Sequence, residues 1–283
     1  MKNIKYFAPR KVDEALDYLD EYGEKATVLA GGSDVVPMLN YYELLPEVIL
    51  YVGGIGIDYL KEKDGKLIIG AGITWSTIIA DPLVKAKASV LAEAAQKGGC
   101  VAIRNIGTIG GNIVNASPAA DLVAALLSLD ATVVLRSSKG QRTVPLKDFF
   151  TGPGATVLRA NELVIEVHVP FAKGNAVFLK LGRRRSMTCS VVNTAVRIYS
   201  EGTTCKEARI AVGSMGPTPI RCVKAEKVIT GHTIDPDLID KCAETAITET
   251  SPIDDKRASA WYRKKAGKTL VRRALARAAG IED

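Results

Sequence analysis

Two pairs of consecutive glycines, each entered from apolar residues and left through small polar ones, constrain this chain more than any other feature. The first lies in Leu29-Ala30-Gly31-Gly32-Ser33-Asp34 and the second in Thr108-Ile109-Gly110-Gly111-Asn112. A glycine pair tolerates positive φ and carries no Cβ. Successive backbone amides can therefore converge on an anion, and a ligand can approach the main chain closely. Two such turns in one domain suit a ligand with two phosphates, as in a dinucleotide, with Ser33, Thr108 and Asn112 able to add side-chain hydrogen bonds. The same pairs also serve as tight strand-to-helix turns with no ligand, and on spacing alone the two readings stand level.

Other chemistries are excluded more easily. No GxGxxG follows a strand-like run, so the Rossmann fingerprint is missing. Gly267-Lys268-Thr269 resembles the end of a P-loop, but Tyr262 occupies the position of its first glycine. The two histidines, His168 and His232, stand alone in a strand-like run and a turn. Cys100, Cys189, Cys205, Cys222 and Cys242 are at least sixteen residues apart, which seeds neither a zinc nor an iron–sulfur site. No metal ligand set and no catalytic acid–base pair or nucleophile is expected in this chain.

At 283 residues, 47% apolar and 24% charged, the chain can bury one large core or two ordinary ones. It has no apolar run long enough to span a bilayer. Its first residues lack a continuous apolar signal region, so a cytoplasmic location is expected. The net charge of +7 is local: nine Lys/Arg and no Asp/Glu lie between Lys256 and Arg277, leaving −2 for the remainder. Confinement to one segment argues against nucleic-acid binding.

Hydrophobic periodicity predicts a helix over 12–22, strands at 27–30 and 48–51, and a hairpin turning at Asp64-Gly65. Thr74 is placed to cap a helix ending before Asp81-Pro82, and 85–97 reads as one further helix. Residues 98–115 read as a glycine-punctuated segment and 119–127 as a helix. Strands are expected at 132–135, 141–144 and 164–169. Beyond residue 172 the pattern changes to three strands (176–181, 190–199 and 207–213), expected as an antiparallel meander, then helices over 222–230, 236–249 and 254–279. The expected fold class is α+β, with domains at 1–172 and 173–283.

Three segments occur in an order and spacing that resemble a known family: Ala30-Gly31-Gly32-Ser33-Asp34; 104–113, reading RNIGTIGGNI; and Ala116-Ser117-Pro118-Ala119-Ala120-Asp121. Together with the C-terminal 257–263 and 270–275, they resemble the FAD-binding medium subunit of molybdenum hydroxylases, across essentially the whole chain. That group includes bacterial xanthine dehydrogenase, aerobic carbon monoxide dehydrogenase and nicotinate dehydrogenase. The resemblance implies an FAD-binding domain of the vanillyl-alcohol oxidase/p-cresol methylhydroxylase type and a small α+β C-terminal domain. It implies that Leu29, Ala30, Gly31, Gly32, Ser33, Asp34, Val35 and Val36 wrap the FAD pyrophosphate. Thr108, Ile109, Gly110, Gly111 and Asn112 would form a second nest. Asp121 would hold a polar group of the cofactor, and Val164 and Lys180 would approach the flavin or its adenine half.

Ser33 and Asp34 stand where relatives with covalent flavin carry histidine or cysteine, so the FAD is expected to be non-covalent. The resemblance further implies a partner carrying the molybdenum cofactor, a second partner carrying [2Fe–2S] clusters, and a heterotrimer or a dimer of heterotrimers. NAD⁺ is the expected acceptor. A quinone is the alternative, because the carbon monoxide dehydrogenase branch uses non-nicotinamide acceptors. For the last helix, the apolar side, with Trp261, Tyr262, Leu270, Val271, Ala274 and Leu275, is expected to pack on its own domain. Its basic face stays open between solvent and a more acidic subunit.

Overall fold

The computed structural model describes residues 4–281. The chain opens with a small parallel sheet: β1 (Lys5–Phe7), α1 (Val12–Tyr22), β2 (Ala26–Leu29), α2 (Val35–Asn40) and β3 (Val48–Tyr51), in strand order β1-β3-β2. Helix α1 buries Ala15, Leu16 and Leu19, the stripe given by its 3.6-residue period. Because the crossovers are helical, the parallel strands deliver their C-terminal ends, including Leu29, to one edge.

A five-stranded antiparallel sheet follows, built from β4 (Leu60–Lys63), β5 (Lys66–Gly70), β6 (Thr132–Ser137), β7 (Gly140–Pro145) and, after the short pair β8 (Phe150–Gly152) and β9 (Ala155–Thr156), β10 (Leu163–Pro170). Its order is β4-β5-β10-β6-β7. The β4–β5 turn has Asp64 at φ +50° and Gly65 at φ +69°, the two left-handed residues that a tight hairpin requires. Between β5 and β6 run six helices: α3 (Trp75–Ala80), α4 (Pro82–Lys87), α5 (Ser89–Lys97), α6 (Val101–Ile106), α7 (Ile109–Val114) and α8 (Asp121–Ser128). Every residue of α8 is buried.

The helical segment expected over 85–97 is broken. Asp81 accepts from the Leu83 and Val84 amides to start α4 at Pro82, and Ala88, at φ −148° and ψ 47°, separates α4 from α5. The glycine-punctuated stretch is largely helical as well, forming α6 and α7. Its glycines concealed that from a propensity reading.

The last part is the expected antiparallel meander, β11 (Asn175–Gly182), β12 (Ser190–Glu201), β13 (Thr204–Gly213) and β14 (Ile220–Arg221). It is backed by α9 (Val223–Ile229), α10 (Pro236–Thr248) and α11 (Ala260–Ala279). Helix α11 starts six residues later than its sequence pattern suggests. Ser259 caps it by accepting from the Tyr262 amide, and Asp255 accepts from the Arg257 and Ala258 amides just upstream. Two hydrophobic cores result. One is built mainly from the first 171 residues and the other lies between the meander and its helices. Among the described residues no helix is long and apolar enough to cross a membrane.

Candidate functional site

The two glycine segments, about seventy residues apart in sequence, meet in space. A Cβ on Gly31 would fall 1.6 Å from the Ile106 carbonyl oxygen, so the 30–34 loop lies directly on the chain between α6 and α7. Only glycine permits that contact. Gly32 has φ +78°, and the Val52 amide ties the preceding Leu29 carbonyl to the end of β3 at 2.9 Å. From the other side, the Trp75 amide donates to the Gly107 carbonyl at 3.0 Å.

These contacts surround a cavity of about 820 Å³. Thirteen of the sixteen sequence-proposed residues line it: 29–36, Thr108, Gly110, Gly111, Asn112 and Val164. Its walls are largely apolar, with Val28, Val52, Ile57, Ile73 and Leu163 among them. Such walls suit a flat aromatic ring system, with a few polar groups left to fix its orientation.

The two loops contribute differently. Among the described residues the backbone amides of Gly31 to Asp34 have no acceptor within the protein, which leaves them available to a ligand. The second segment is not a nest of free amides. Ile109 donates to Ile73, Gly110 to Ala71, Gly111 to the Thr108 hydroxyl and Asn112 to the Thr108 carbonyl, all at 2.9–3.0 Å. Thr108 is the N-cap of α7, and the glycines lie in its first turn. This segment serves as a wall of close approach, and its one unpartnered buried polar atom is Asn112 Oδ1.

Three proposed residues lie outside the cavity lining. Ile109 is fully buried in the core. Asp121 and Lys180 pair with each other at 2.6 Å, and their side chains are 8% and 6% exposed. Asp121 also accepts from Ser190 at 2.6 Å and Asn193 at 3.0 Å, which makes it the joint between α8 and the meander. Sequence reasoning missed Trp75 and Glu162. Trp75 is buried beside the cavity with Nε1 unpartnered. Its signal was its place one residue after the Thr74 cap. Glu162 receives two hydrogen bonds from Arg142, at 2.7 and 2.8 Å. That guanidinium holds its carboxyl below the usual carboxylate range against the opposing effect of burial.

Asp34, Asp58 and Glu162 line the cavity, whereas among the described residues no Lys, Arg, His or Cys lines it. A bound diphosphate must therefore be held by amide dipoles rather than by ion pairs. The free 31–34 amides, the positive φ at Gly32 and the orphaned Trp75 Nε1 and Asn112 Oδ1 fit a flavin dinucleotide, which supplies both acceptors and donors.

The fold and cavity define a two-domain protein with a dinucleotide cradle in its first domain. Residues 2–172 match the FAD binding domain in molybdopterin dehydrogenase, and residues 177–278 match the CO dehydrogenase flavoprotein C-terminal domain. The chain is 32% identical over 271 residues to the glyceraldehyde dehydrogenase medium chain of Sulfolobus acidocaldarius, covering 95% of this chain and 96% of that one. It is likewise 32% identical to the carbon monoxide dehydrogenase medium chain of Hydrogenophaga pseudoflava, over 96% of each. The structure of that organism's carbon monoxide dehydrogenase superposes with a TM-score of 0.95 at 33% identity, over 98% of this chain and 97% of that one. The chain belongs to the FAD-binding medium subunits of the molybdenum hydroxylases. It is an oxidoreductase flavoprotein component, and its cofactor is FAD.

Proposed function

We propose that this chain relays electrons inside a multi-subunit molybdenum hydroxylase, from [2Fe–2S] clusters of one partner subunit to an external acceptor, while another partner holds the molybdenum cofactor and oxidises the substrate. The observation that carries the reading is the cavity, with its free amides at Gly31 to Asp34 and its two orphaned polar atoms. FAD, when bound, accepts electrons singly and delivers them in pairs. The residues of this chain bind and orient it. The 31–34 amides hold the diphosphate, Asn112 and Trp75 offer an acceptor and a donor, and the apolar walls exclude water. The absence of Cys and His from the lining supports non-covalent attachment. Among the described residues no group of three or more His, Cys, Asp and Glu could hold a metal ion.

One rim of the cavity supports the multi-subunit reading. Val36 lines the cavity and is exposed, and Tyr41, Tyr42 and Leu45 just beyond α2 are 73–76% exposed. Apolar patches of this kind mark contact surfaces.

The acceptor we propose is NAD⁺. The likeness to a carbon monoxide dehydrogenase medium chain favours a second reading with a quinone or other acceptor. The test is anaerobic stopped flow of the FAD-loaded chain with NADH. Fast bleaching of the flavin band supports NAD⁺. No bleaching by NADH, with rapid reoxidation of the reduced protein by a quinone, replaces that reading with the second. Purified chain that carries no flavin and takes up none would refute the function itself.

A further inference from the structure

The basic segment near the C-terminus divides sharply once it is folded. Arg263 is only 2% exposed and is consumed internally, donating to the Val191 and Ser214 carbonyls and to Asp255. Val271, Ala274 and Leu275 are fully buried against the meander, as the apolar side was expected to be. Toward the start of α11 the arrangement reverses. Trp261 and Tyr262, expected to pack with those residues, are instead 68% and 44% exposed, Ile253 is 70% exposed, and Lys264 and Lys265 are exposed beside them. Arg183 donates to the Lys256 carbonyl at 3.2 Å, which adds the Arg183-Arg184-Arg185 turn between β11 and β12 to the same surface.

These cations are not neutralised by the protein. Among the described residues Arg184, Arg185, Lys256, Lys264 and Lys265 have no carboxylate partner. Lys265 lies 5.2 Å from the centre of the Trp261 ring, and Arg184 is held by the Met187 carbonyl. The nearby acids are already engaged. Asp254 accepts from the Ala260 amide, and Asp255 binds Arg257 and Arg263. Clustering like charges around an exposed tryptophan is unfavourable in the isolated chain and favourable against an opposite surface. Exposed Trp, Tyr and Arg side chains inside a charged rim are the composition of interface anchors.

We infer that the surface formed by the 183–185 turn, Lys256 and the first two turns of α11 docks an acidic face of a partner subunit, with Trp261 seated in an apolar recess of that partner. The inference rests on the multi-subunit reading above and commits to a protein carrying Asp and Glu rather than to a nucleic acid or a second copy of this chain. A nucleic-acid groove would call for basic residues along an extended face. Here they flank the exposed Trp261 and Tyr262, and the chain outside 256–277 has a net charge of −2.

The test co-produces the full chain with the molybdenum and iron–sulfur subunits of its complex and treats the assembly with a carbodiimide, which joins amines directly to carboxylates. Cross-links from Lys256, Lys264 or Lys265 to Asp or Glu of another subunit are expected. In parallel, one variant combines Arg185→Glu, Lys264→Glu and Lys265→Glu, and a second carries Trp261→Ala. Each should weaken assembly at least tenfold at low salt with FAD content and melting temperature unchanged. Only the wild type and Trp261→Ala should lose affinity steeply as salt rises. Unchanged assembly, or no wild-type complex at all, overturns the inference. So do cross-links only to a second copy, or charge reversal that abolishes duplex DNA retention and leaves assembly intact. FAD content is read separately, so failure of the flavin assignment would show as colourless wild-type protein whatever the cross-links.

Discussion

Replacing Gly111 by valine separates the role of the second glycine segment in binding from its role in folding. Gly111 faces the cavity at the start of α7, and a Cβ built there meets only the Thr108 hydroxyl, at 3.0 Å. Glycine costs about 1 kcal/mol and valine up to about 0.7 kcal/mol relative to alanine in a helix, so the exchange is close to neutral for folding. The melting temperature of the apo-protein should stay within about 2 °C of wild type. The ligand, however, loses its close approach. A shift on the order of 1 Å forfeits one or two charge-assisted hydrogen bonds to the 31–34 amides, each worth about 1.5–3 kcal/mol. At about 1.4 kcal/mol per decade, FAD affinity should fall roughly 100-fold. Gly110 provides the contrast. Its Cβ would stand 2.8 Å from both Cβ and the carbonyl oxygen of Ala71, and its own amide already donates to that oxygen. Overpacking of about 1–3 kcal/mol should lower the melting temperature by roughly 3–10 °C. Calorimetry on apo-protein and titration with FAD read the two effects. Stoichiometric FAD at wild-type affinity in Gly111→Val would refute the reasoning.

Trp75 lines the cavity, so FAD should quench tryptophan emission in wild type and in Trp261→Phe, and hardly at all in Trp75→Phe. With no lysine or arginine lining the site, FAD affinity should change less than about threefold between 0.05 and 0.5 M salt, measured by equilibrium dialysis. Asp121→Ala leaves the Lys180 ammonium buried without its carboxylate and should cost about 3–5 kcal/mol in chemical denaturation, with Lys180→Met in the same background recovering part of the loss. At Asp255 burial opposes ionisation, but the Arg257 amide and the Arg263 guanidinium outweigh it and hold the pKa at about 2. A depressed carboxyl stabilises the fold above its unfolded value near 4 and loses that contribution as pH falls toward 2. Asp255→Asn should therefore be less stable than wild type at pH 7, and the difference should shrink through that window.

What the sequence revealed follows from how local each signal is. The Asp64-Gly65 turn, the Thr74 cap and the α1 stripe are encoded within a few residues, and each forms as read. The glycine pairs located the cavity because glycine is demanded there by backbone contact, as at Gly31. They could not show which pair offers free amides, since the acceptors for Ile109 and Gly110 lie on Ile73 and Ala71, in the loop after β5. The Asp121–Lys180 pairing was illegible for the same reason: 59 residues separate two ordinary-looking polar side chains that only the packing of α8 on β12 and β13 brings together. Burial of Arg263 within a basic run was likewise invisible, because composition counts it with its solvated neighbours.

The second domain has a direct bearing on the site, although none of the cavity lining comes from it. Helix α8 is buried throughout and is gripped at both ends by residues of the meander and its last short strand. At its start Asp121 binds Lys180, Ser190 and Asn193. Just beyond its end Asp130 binds Arg209 at 2.6 Å and Arg221 at 2.7 Å, and Arg221 and Arg197 also reach the carbonyls of Leu127 and Ser128. Arg209 and Arg221 hold the Asp130 carboxyl below its ordinary range even though burial pushes the other way. Between α7 and α8 the Pro118 carbonyl accepts from the Ser214 amide at 2.7 Å. The segment that carries Thr108 to Asn112 therefore leads, through six residues, into an element fixed in place by the second domain. Loosening that grip would shift α7 and, through it, the Ile106-Gly107 link on which the 30–34 loop lies. The C-terminal domain positions a wall of the cavity through α8 without contributing to its lining.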